Sequence, residues 1–153
     1  MATEKWIAGS GQGLTFGTLD TATFNALVNG NALISGTQVD NSSALDLFAD
    51  VEFDIASVTT VAPNYTGVYL YPLNQDGSTY GDGRFTTTAA GPPPSQYWVG
   101  NIVVPVGTGA YQGMIRGVIL PPAKFKFVLY NQLGVTMGTT NTLRYRTYNR
   151  QVA

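Results

Sequence analysis

LDLFADVEFDI, residues 45–55, alternates between apolar and acidic side chains along its length. All odd-numbered positions are apolar, and four of the five even-numbered positions carry a carboxylate, with Phe48 as the exception. Successive side chains of a β-strand point to opposite faces, so this period of two predicts one long strand with an apolar face and an acidic face. A helix would instead scatter the carboxylates around its circumference.

The composition is typical of a β-rich protein with many turns. Charged residues make up 11% of the 153 residues, against roughly 25% in an average soluble protein. The chain contains 18 Gly and 8 Pro, but no Cys and no His. The lack of Cys excludes disulfides and thiolate metal sites, and the lack of His removes the usual general base. A chain of this length is expected to form one domain.

The charges are distributed unevenly along the chain. Residues 1–82 hold all nine acids and one base, for a net charge of −8, whereas residues 83–153 hold seven bases, for a net charge of +7. These bases lie within alternating strand patterns, so we expect acidic and basic strands to lie side by side in one sheet. Head-to-tail contacts between subunits are the alternative. The bases that could face the acidic strand are Lys124, Lys126, Arg144 and Arg146.

Period-two patterning predicts seven strands, with a short eighth strand at 133–137 as the alternative count. The seven are 32–39, 45–55, 66–73, 97–106, 113–120, 124–130 and 142–148. Short strands separated by turn residues predict an all-β sandwich. The long connections favour a jelly-roll-like antiparallel β-sandwich. An immunoglobulin plan is less favoured because its Cys–Trp–Cys signature is absent.

Residues 1–18 are interpreted as an extended N-terminal arm, and residues 19–153 as a single β-sandwich domain. Glycines at four positions between 9 and 17 disfavour a regular element. We expect the arm to become ordered on a neighbouring subunit or on its own domain. Trp6, Leu14 and Phe16 are its predicted partner-binding residues.

The segment after the arm fits two local structures equally well. Asp20 and Gly30 suit the N-cap and C-cap of a short helix over residues 20–29. The dipeptide Asn29-Gly30 is also common in tight hairpin turns. Both predictions stay open at this stage.

Residues 74–95 are expected to form a long irregular loop. The loop begins with NQDGSTYGDGR and closes with Gly91 and three consecutive prolines, which favour a polyproline II segment. Loops of this length are usually functional or disordered. Aromatic side chains in and beside it favour an ordered, contact-making loop, and we expect an interface there. The predicted interface residues are Tyr80, Phe85, Tyr97 and Trp98.

The sequence offers few candidates for chemistry. Asp76 and Asp82 are candidate calcium ligands because carboxylates in a glycine-rich loop suit that ion, but ordinary Asp-Gly turn chemistry is the favoured interpretation. Asp50, Glu52 and Asp54 could support glycoside hydrolysis, but an acidic strand that faces basic residues is the favoured interpretation. We expect no catalytic residue, no cofactor and no bound metal, and the chain is not expected to be an enzyme.

Nucleic acid and membranes are not expected as partners. Arg144, Arg146 and Arg150 could contact phosphates, but a pI near 5.1 disfavours this interpretation. No apolar run approaches the roughly 18 residues of a membrane span. The first residues, MATEKWIAGSG, lack the basic and apolar regions of a secretion signal, so we expect synthesis and release in the cytoplasm.

Four segments, about a third of the chain, carry a resemblance to a known kind of protein. They are GVYLYPLNQDGSTYGDGRF (67–85), GPPPSQYWVG (91–100), LPPAKFKFVLYNQLGVT (120–136) and LRYRTYNR (143–150). They resemble small virion proteins of tailed bacteriophages, of the head cement or decoration kind.

This resemblance implies a non-enzymatic structural protein with a jelly-roll-like fold on the outer capsid surface of the virion, made in the host cytoplasm. It implies a homo-oligomer, a dimer or trimer, that binds the major capsid protein and clamps neighbouring capsid subunits. The arm, with Trp6 and Phe16, would be the natural anchor. The alternative is a carbohydrate-binding (lectin-like) or receptor-binding β-sandwich head with a concave site near Tyr80, Tyr97 and Trp98.

Overall fold

The computed structural model describes residues 4–9 and 15–152. Within these ranges it contains eleven strands and a 3₁₀ turn at Ser95–Tyr97. The strands are β1 (Glu4–Ala8), β2 (Gly17–Asp20), β3 (Asn31–Ile34), β4 (Val39–Asp40), β5 (Phe48–Thr60), β6 (Tyr65–Pro72), β7 (Ala89–Ala90), β8 (Trp98–Val103), β9 (Gly107–Ile119), β10 (Lys124–Gln132) and β11 (Thr142–Val152). No helix among the described residues is both long enough and apolar enough to cross a lipid bilayer.

Two antiparallel sheets form the sandwich. In the front sheet the order is β2, β11, β5, β9, and β1 continues the line of β2 along the same edge of β11. In the back sheet the order is β3, β10, β6, β8, with β4 following β3 along β10 and the short β7 outside β3. This is the strand order of an eight-stranded jelly roll, so the predicted fold class is confirmed.

The core lies between the two sheets. From the front sheet, Val51, Phe53 and Ile55 point inwards and are at most 1% exposed. From the back sheet, Phe125 and Phe127 are fully buried, and their rings meet edge to face. The apolar face predicted for the acidic strand is therefore confirmed from Ala49 onwards. Burial of such side chains is the main term that stabilises a two-layer sandwich.

The start of that strand was predicted wrongly. β5 begins at Phe48, and Leu45 and Leu47 are 55% and 51% exposed. The Asn41 side chain accepts a hydrogen bond from Asp46 N and donates one to Asp46 O, both at 2.9 Å. This side chain closes residues 41–46 into a turn in which Leu45 takes a φ of 51°. The polar anchor thus overrides the local alternation.

The acidic face of β5 lies beside the bases of β11, as predicted. In the register, Asp50 is opposite Arg146 and Glu52 is opposite Arg144. Lys124 forms its ion pair elsewhere, with Asp40 at 3.5 Å. Arg144, Arg146 and Arg150 therefore pair with acids of neighbouring strands in the front sheet, and Lys124 does so in the back sheet.

The segment after β2 is a series of turns, so the helix prediction for residues 20–29 was wrong. Asn29-Gly30 does form a tight turn, but not that of a hairpin, because β2 and β3 lie in different sheets. Asn31 N donates to Val28 O at 3.1 Å across the Asn29-Gly30 turn, and Gly30 has a φ of 81°. Asp20 does act as a cap, but its carboxylate accepts from Ala22 N and Thr23 N in a local turn.

Other boundaries also differ from the prediction. Residues 32–39 split into β3 and β4, and residues 133–137 form no strand, although two of their side chains lie in the core. β9 begins at Gly107, six residues before the predicted start, because its backbone pairs with β5 where glycines hide the alternation. These differences do not alter the order of the sheets.

The predicted long loop after β6 is ordered against the outer face of the back sheet. A second, smaller cluster of buried side chains holds it there. Phe85 of the loop is 1% exposed and meets the ring of Tyr71 at a centroid distance of 6.2 Å. The buried members of this cluster are Ala32, Ile34, Tyr69, Tyr71, Phe85 and Val128.

Candidate binding surface on the front sheet

The described part of the N-terminal arm lies on its own domain. β1 pairs with the last residues of β11, and Glu4 forms an ion pair with Arg150. Gly9 N donates a hydrogen bond to Thr147 O at 3.0 Å. A Cβ at Gly9 would overlap the Thr147 side chain, so only glycine allows the chain to pass this closely.

The arm places two of its three predicted partner-binding residues on the outer face of the front sheet. The Trp6 ring lies 5.9 Å from the ring of Phe48 and 5.3 Å from that of Tyr148, perpendicular to both. The Phe16 ring lies 4.8 Å from the Arg146 guanidinium. Leu14 lies outside the described residues. Trp6 remains 62% exposed despite these contacts, so most of its surface is available to a partner.

Asp50 is the centre of the polar contacts on this face. Asp50 is 4% exposed. Its Oδ2 accepts hydrogen bonds from Arg146 Nε at 3.0 Å and from Arg146 Nη2 at 2.7 Å. Its Oδ1 accepts from the Tyr148 hydroxyl at 3.3 Å and from Gly117 N at 3.1 Å. Burial and the nearby Asp50 charge raise the pKa of Tyr148, so this hydroxyl stays protonated as a donor.

A β-bulge in β9 lies directly opposite Asp50. Ala49 pairs with Val118 and Val51 pairs with Ile115, so the single residue Asp50 faces both Arg116 and Gly117. Gly117 has a φ of 70°, which favours glycine. Bulges of this kind redirect side chains. Here the bulge presents Arg116 on the outer face of the sheet, where it is exposed and forms no ion pair or hydrogen bond with the described residues.

These groups line a cavity of about 350 Å³, which we call the Asp50 pocket. Its lining residues are Trp6, Asp50, Arg116, Arg146 and Tyr148. Two guanidinium groups and one carboxylate leave the pocket with one excess positive charge. Guanidinium groups beside aromatic rings suit an anion that also carries apolar surface. The pocket can therefore bind a ligand, although its geometry assigns no reaction.

Exposed apolar side chains extend from this pocket to the neighbouring edge of the back sheet. Phe48 pairs across strands with Ile119, which is 76% exposed. Ile119 and Trp98 line a shared cavity at the start of β8, and Trp98 is 51% exposed. We call this surface the apolar band. It consists of Trp6, Leu47, Phe48, Trp98 and Ile119.

The predicted interface loop is divided by the structure. Phe85 is buried in the smaller core, so its side chain is not available for contact. The prediction that Phe85 is an interface residue was wrong. Tyr97 packs on Tyr71 at a centroid distance of 4.4 Å, and the Tyr80 hydroxyl donates to Gln38. Trp98 is the one of the four that joins the apolar band.

The candidate calcium ligands act as turn acceptors. Asp76 Oδ1 accepts hydrogen bonds from Ser78 N at 2.9 Å and Thr79 N at 2.8 Å. Hydrogen bonding, with Thr79 the main contributor, lowers the pKa of Asp76 to about 2. Asp82 Oδ1 accepts from Arg84 N at 3.1 Å. Within residues 4–9 and 15–152, no group of three or more metal-ligating side chains is close enough to hold an ion.

The three carboxylates considered for hydrolysis are all paired with arginine. Asp50 is bound to Arg146, as described above. Arg144 forms ion pairs with Glu52 at 3.2 Å and with Asp54. Hydrogen bonding to Asp54 raises the pKa of Arg144 further above its usual range. The acids thus serve to join β5 to β11.

Several residues of the surface escaped the sequence interpretation. Arg116 and Ile119 lie in β9, which was predicted from the sequence only as a strand, with no role for its side chains. The useful signals were Gly117, because a glycine inside a strand pattern suggests a bulge, and Phe48, the apolar residue among the acids of residues 45–55. No protein-family model matches this chain, and no curated protein matches it significantly either.

Proposed function

We propose that this chain is a non-enzymatic structural protein of a phage particle, a capsid cement or decoration protein that clamps neighbouring capsid subunits. The observation that carries the proposal is the apolar band, which runs from the arm across the front sheet to the edge of the back sheet. Contiguous exposed apolar surface on a small domain is typical of protein interfaces. Aromatic residues and arginine are enriched at such interfaces, and both are present here.

The arrangement suits contact with two neighbours at once. Trp6 and Trp98 lie at opposite ends of the band, on strands of different sheets. A band that turns from one sheet to the other can contact surfaces at an angle to each other, as at the junction between two capsid subunits. We propose the major capsid protein as this partner.

Homo-oligomer formation, as a dimer or trimer, is the second part of the proposal. The front sheet ends at β1 and β2 on one side and at β9 on the other. β9 is 13 residues long and carries Arg116 as its one charged side chain. Long edge strands with few charges are templates for pairing with another chain.

Mass spectrometry of purified phage particles tests the proposal. We expect this chain at a fixed stoichiometry to the major capsid protein, with lysines that react with an amine label on intact particles. Particles that lack the chain would contradict the proposal.

A matched pair of variants tests the band itself. Ile119→Ser removes an apolar side chain of the band that is 76% exposed, whereas Val103→Ser removes one outside it that is 69% exposed. The assay is cosedimentation of the added protein with particles prepared without it. We expect Ile119→Ser to weaken this cosedimentation and Val103→Ser to leave it unchanged. Equal effects would place the contact elsewhere.

A carbohydrate-binding or receptor-binding head is the second candidate function. It is favoured by the cavity of Trp98 and Tyr97, because exposed aromatic rings bind the apolar faces of sugars. A glycan array discriminates the two functions. We expect hits that are lost in Trp98→Ala if this second function is correct, and no hits if it is not.

A further inference from the structure

We infer that the Asp50 pocket binds the carboxylate of an acidic side chain on a protein partner, and that Arg116 is the group that pairs with it. This inference rests on the proposed function, because it names the chemistry of the contact at the arm end of the apolar band. The ligand class follows from the charges that line the pocket, the β-bulge at Gly117 and the neighbouring apolar band.

The first observation is that the arginines on the outer face of the front sheet differ in whether they form an ion pair. Arg144, Arg146 and Arg150 each form an ion pair with a carboxylate of β5 or β1. Arg116 has no such partner among the described residues. A guanidinium that lines a cavity with two aromatic residues and has no carboxylate partner among the described residues is a ready site for an incoming anion.

The second observation is that the backbone next to Arg116 is held in place. Asp50 binds the bulge through Gly117 N and also orients Arg146 and Tyr148. The residue beside Arg116 is therefore tied to a buried carboxylate, and φ at Gly117 is 70°. Bulges cluster where a strand must direct a side chain towards a ligand. A backbone and neighbouring side chains that are fixed before binding lose less conformational entropy when a ligand binds.

The third observation limits the charge of the ligand. The cavity holds Arg116, Arg146 and Asp50, so it has one positive charge in excess. A single carboxylate neutralises this charge, whereas a dianionic phosphate would approach the fixed charge of Asp50. The ligand is therefore a monoanion.

The fourth observation favours a protein over a free acid. The pocket shares Trp6 with the apolar band, and Trp6 contacts Phe48, which pairs with Ile119. An acidic residue with an apolar neighbour in sequence would fill the pocket and cover the band together. A carboxylate without apolar surface would leave the exposed indole and Ile119 in water.

Titration with short peptides tests the inference on the full chain. The probes are acetyl-Asp-Leu-amide, its neutral counterpart acetyl-Asn-Leu-amide, and glucuronate. The readouts are the NMR signals of Trp6 Nε1–H and Arg116 Nε–H. We expect saturable shifts with the Asp peptide and binding weaker by about tenfold or more with the Asn peptide.

Variants assign the effect to the pocket. Arg116→Gln should weaken binding of the Asp peptide by about tenfold, and Arg116→Lys should restore part of it. Lys5→Gln removes the same charge on β1 from a side chain that does not line the pocket, and it should bind as wild type does. Circular dichroism of each variant confirms that it is folded.

Three outcomes of the titrations would overturn the inference. These are equal binding of the Asp and Asn peptides, wild-type affinity in Arg116→Gln, and binding of glucuronate without binding of the peptide, which would point to an acidic sugar. Cosedimentation with particles separates the two proposals. If wild type and Arg116→Gln bind particles equally, the inference fails and the proposed function stands. If wild type does not bind particles, the proposed function fails. The peptide titration then still shows whether the Asp50 pocket binds a carboxylate.

Discussion

The backbone N–H of Gly117 donates a hydrogen bond to the buried carboxylate of Asp50 at 3.1 Å, at the point where β9 carries one extra residue. This bond joins the edge of the front sheet to its centre. It explains how a nearly uncharged edge strand presents its one arginine in the cavity that Trp6 of the arm also lines.

Replacing Gly117 with Ala should destabilise the protein and displace Arg116. The residue would have to adopt a φ of 70°, which costs about 1–2 kcal/mol for a side chain other than glycine. Gly77→Ala is the matched control, because Gly77 also has a φ of 70° and lies in an exposed turn. Urea unfolding should show a similar loss of unfolding free energy in both variants. The Trp6 Nε1–H signal should shift in Gly117→Ala alone, and a shift of equal size in Gly77→Ala would contradict this role of the bulge.

Removing the charge of Asp50 should be costly. Asp50→Asn leaves Arg146 without its carboxylate, and breaking a largely buried ion pair costs about 3 kcal/mol. Glu4→Gln is the control, since both side chains of the Glu4–Arg150 pair are 52% exposed and such pairs contribute about 0–1 kcal/mol. The free energy of unfolding in urea measures both. Equal losses in the two variants would show that Asp50 is not the centre of this face.

A side chain at position 9 should release the arm from the sheet. Gly9→Val would overlap the Thr147 side chain and break the alignment of β1 with β11. Hydrogen exchange should therefore become faster at the paired amides of residues 4–8 and 148–152. Ala8→Val places the same side chain at an exposed neighbouring position and should leave exchange slow. Slow exchange in Gly9→Val would mean that β1 tolerates a shift at this point.

Phe85 should hold the long loop on the back sheet. Phe85→Ala removes a ring that is 1% exposed and should cost about 3 kcal/mol of unfolding free energy. Limited proteolysis should then cleave residues 74–84 faster. Tyr80→Ala, a half-buried residue of the same loop, should cost less. If cleavage stays slow in Phe85→Ala, other contacts hold the loop.

Asp76 should contribute to stability only above acidic pH. Its pKa is lowered from 3.8 to about 2 in the folded chain, so its contribution is complete above about pH 4 and is lost as the pH falls through about 2. Asp76→Asn should therefore melt at a lower temperature than wild type near neutral pH. The difference should shrink as the pH falls from about 4 to 2. A difference that stays constant over this range would contradict the assignment.

The fold was predictable because the signals that decide it are local and periodic. Alternation from Ala49 to Ile55 fixed which face of β5 is buried, and the segregation of charge indicated that β5 and β11 are neighbours. The wrong boundaries have two causes, which are glycines that hide the alternation at the start of β9 and a local side-chain anchor before β5. Asn41 binds Asp46 and delays the start of β5 to Phe48, and no periodicity reports such a bond.

The surface was less predictable than the fold. Trp6 and Trp98 were predicted as contact residues, but their link through Phe48 and Ile119 depends on cross-strand register, which the sequence does not supply. Phe85 was misassigned because burial of an aromatic residue in a loop depends on what lies beneath it. Arg116 differs from the neighbouring arginines in having no ion pair with a described residue, and this difference is visible only in the structure.

The central claim is that the outer face of the front sheet, with the apolar band, is the contact surface of this protein. Hydrogen exchange of the chain bound to particles, compared with the free chain, tests it most directly. The account predicts slower exchange at residues 4–8 and 114–119 on binding, with no change in the loop at 74–84. Slower exchange confined to that loop, or unchanged exchange at both front-sheet segments, would contradict it.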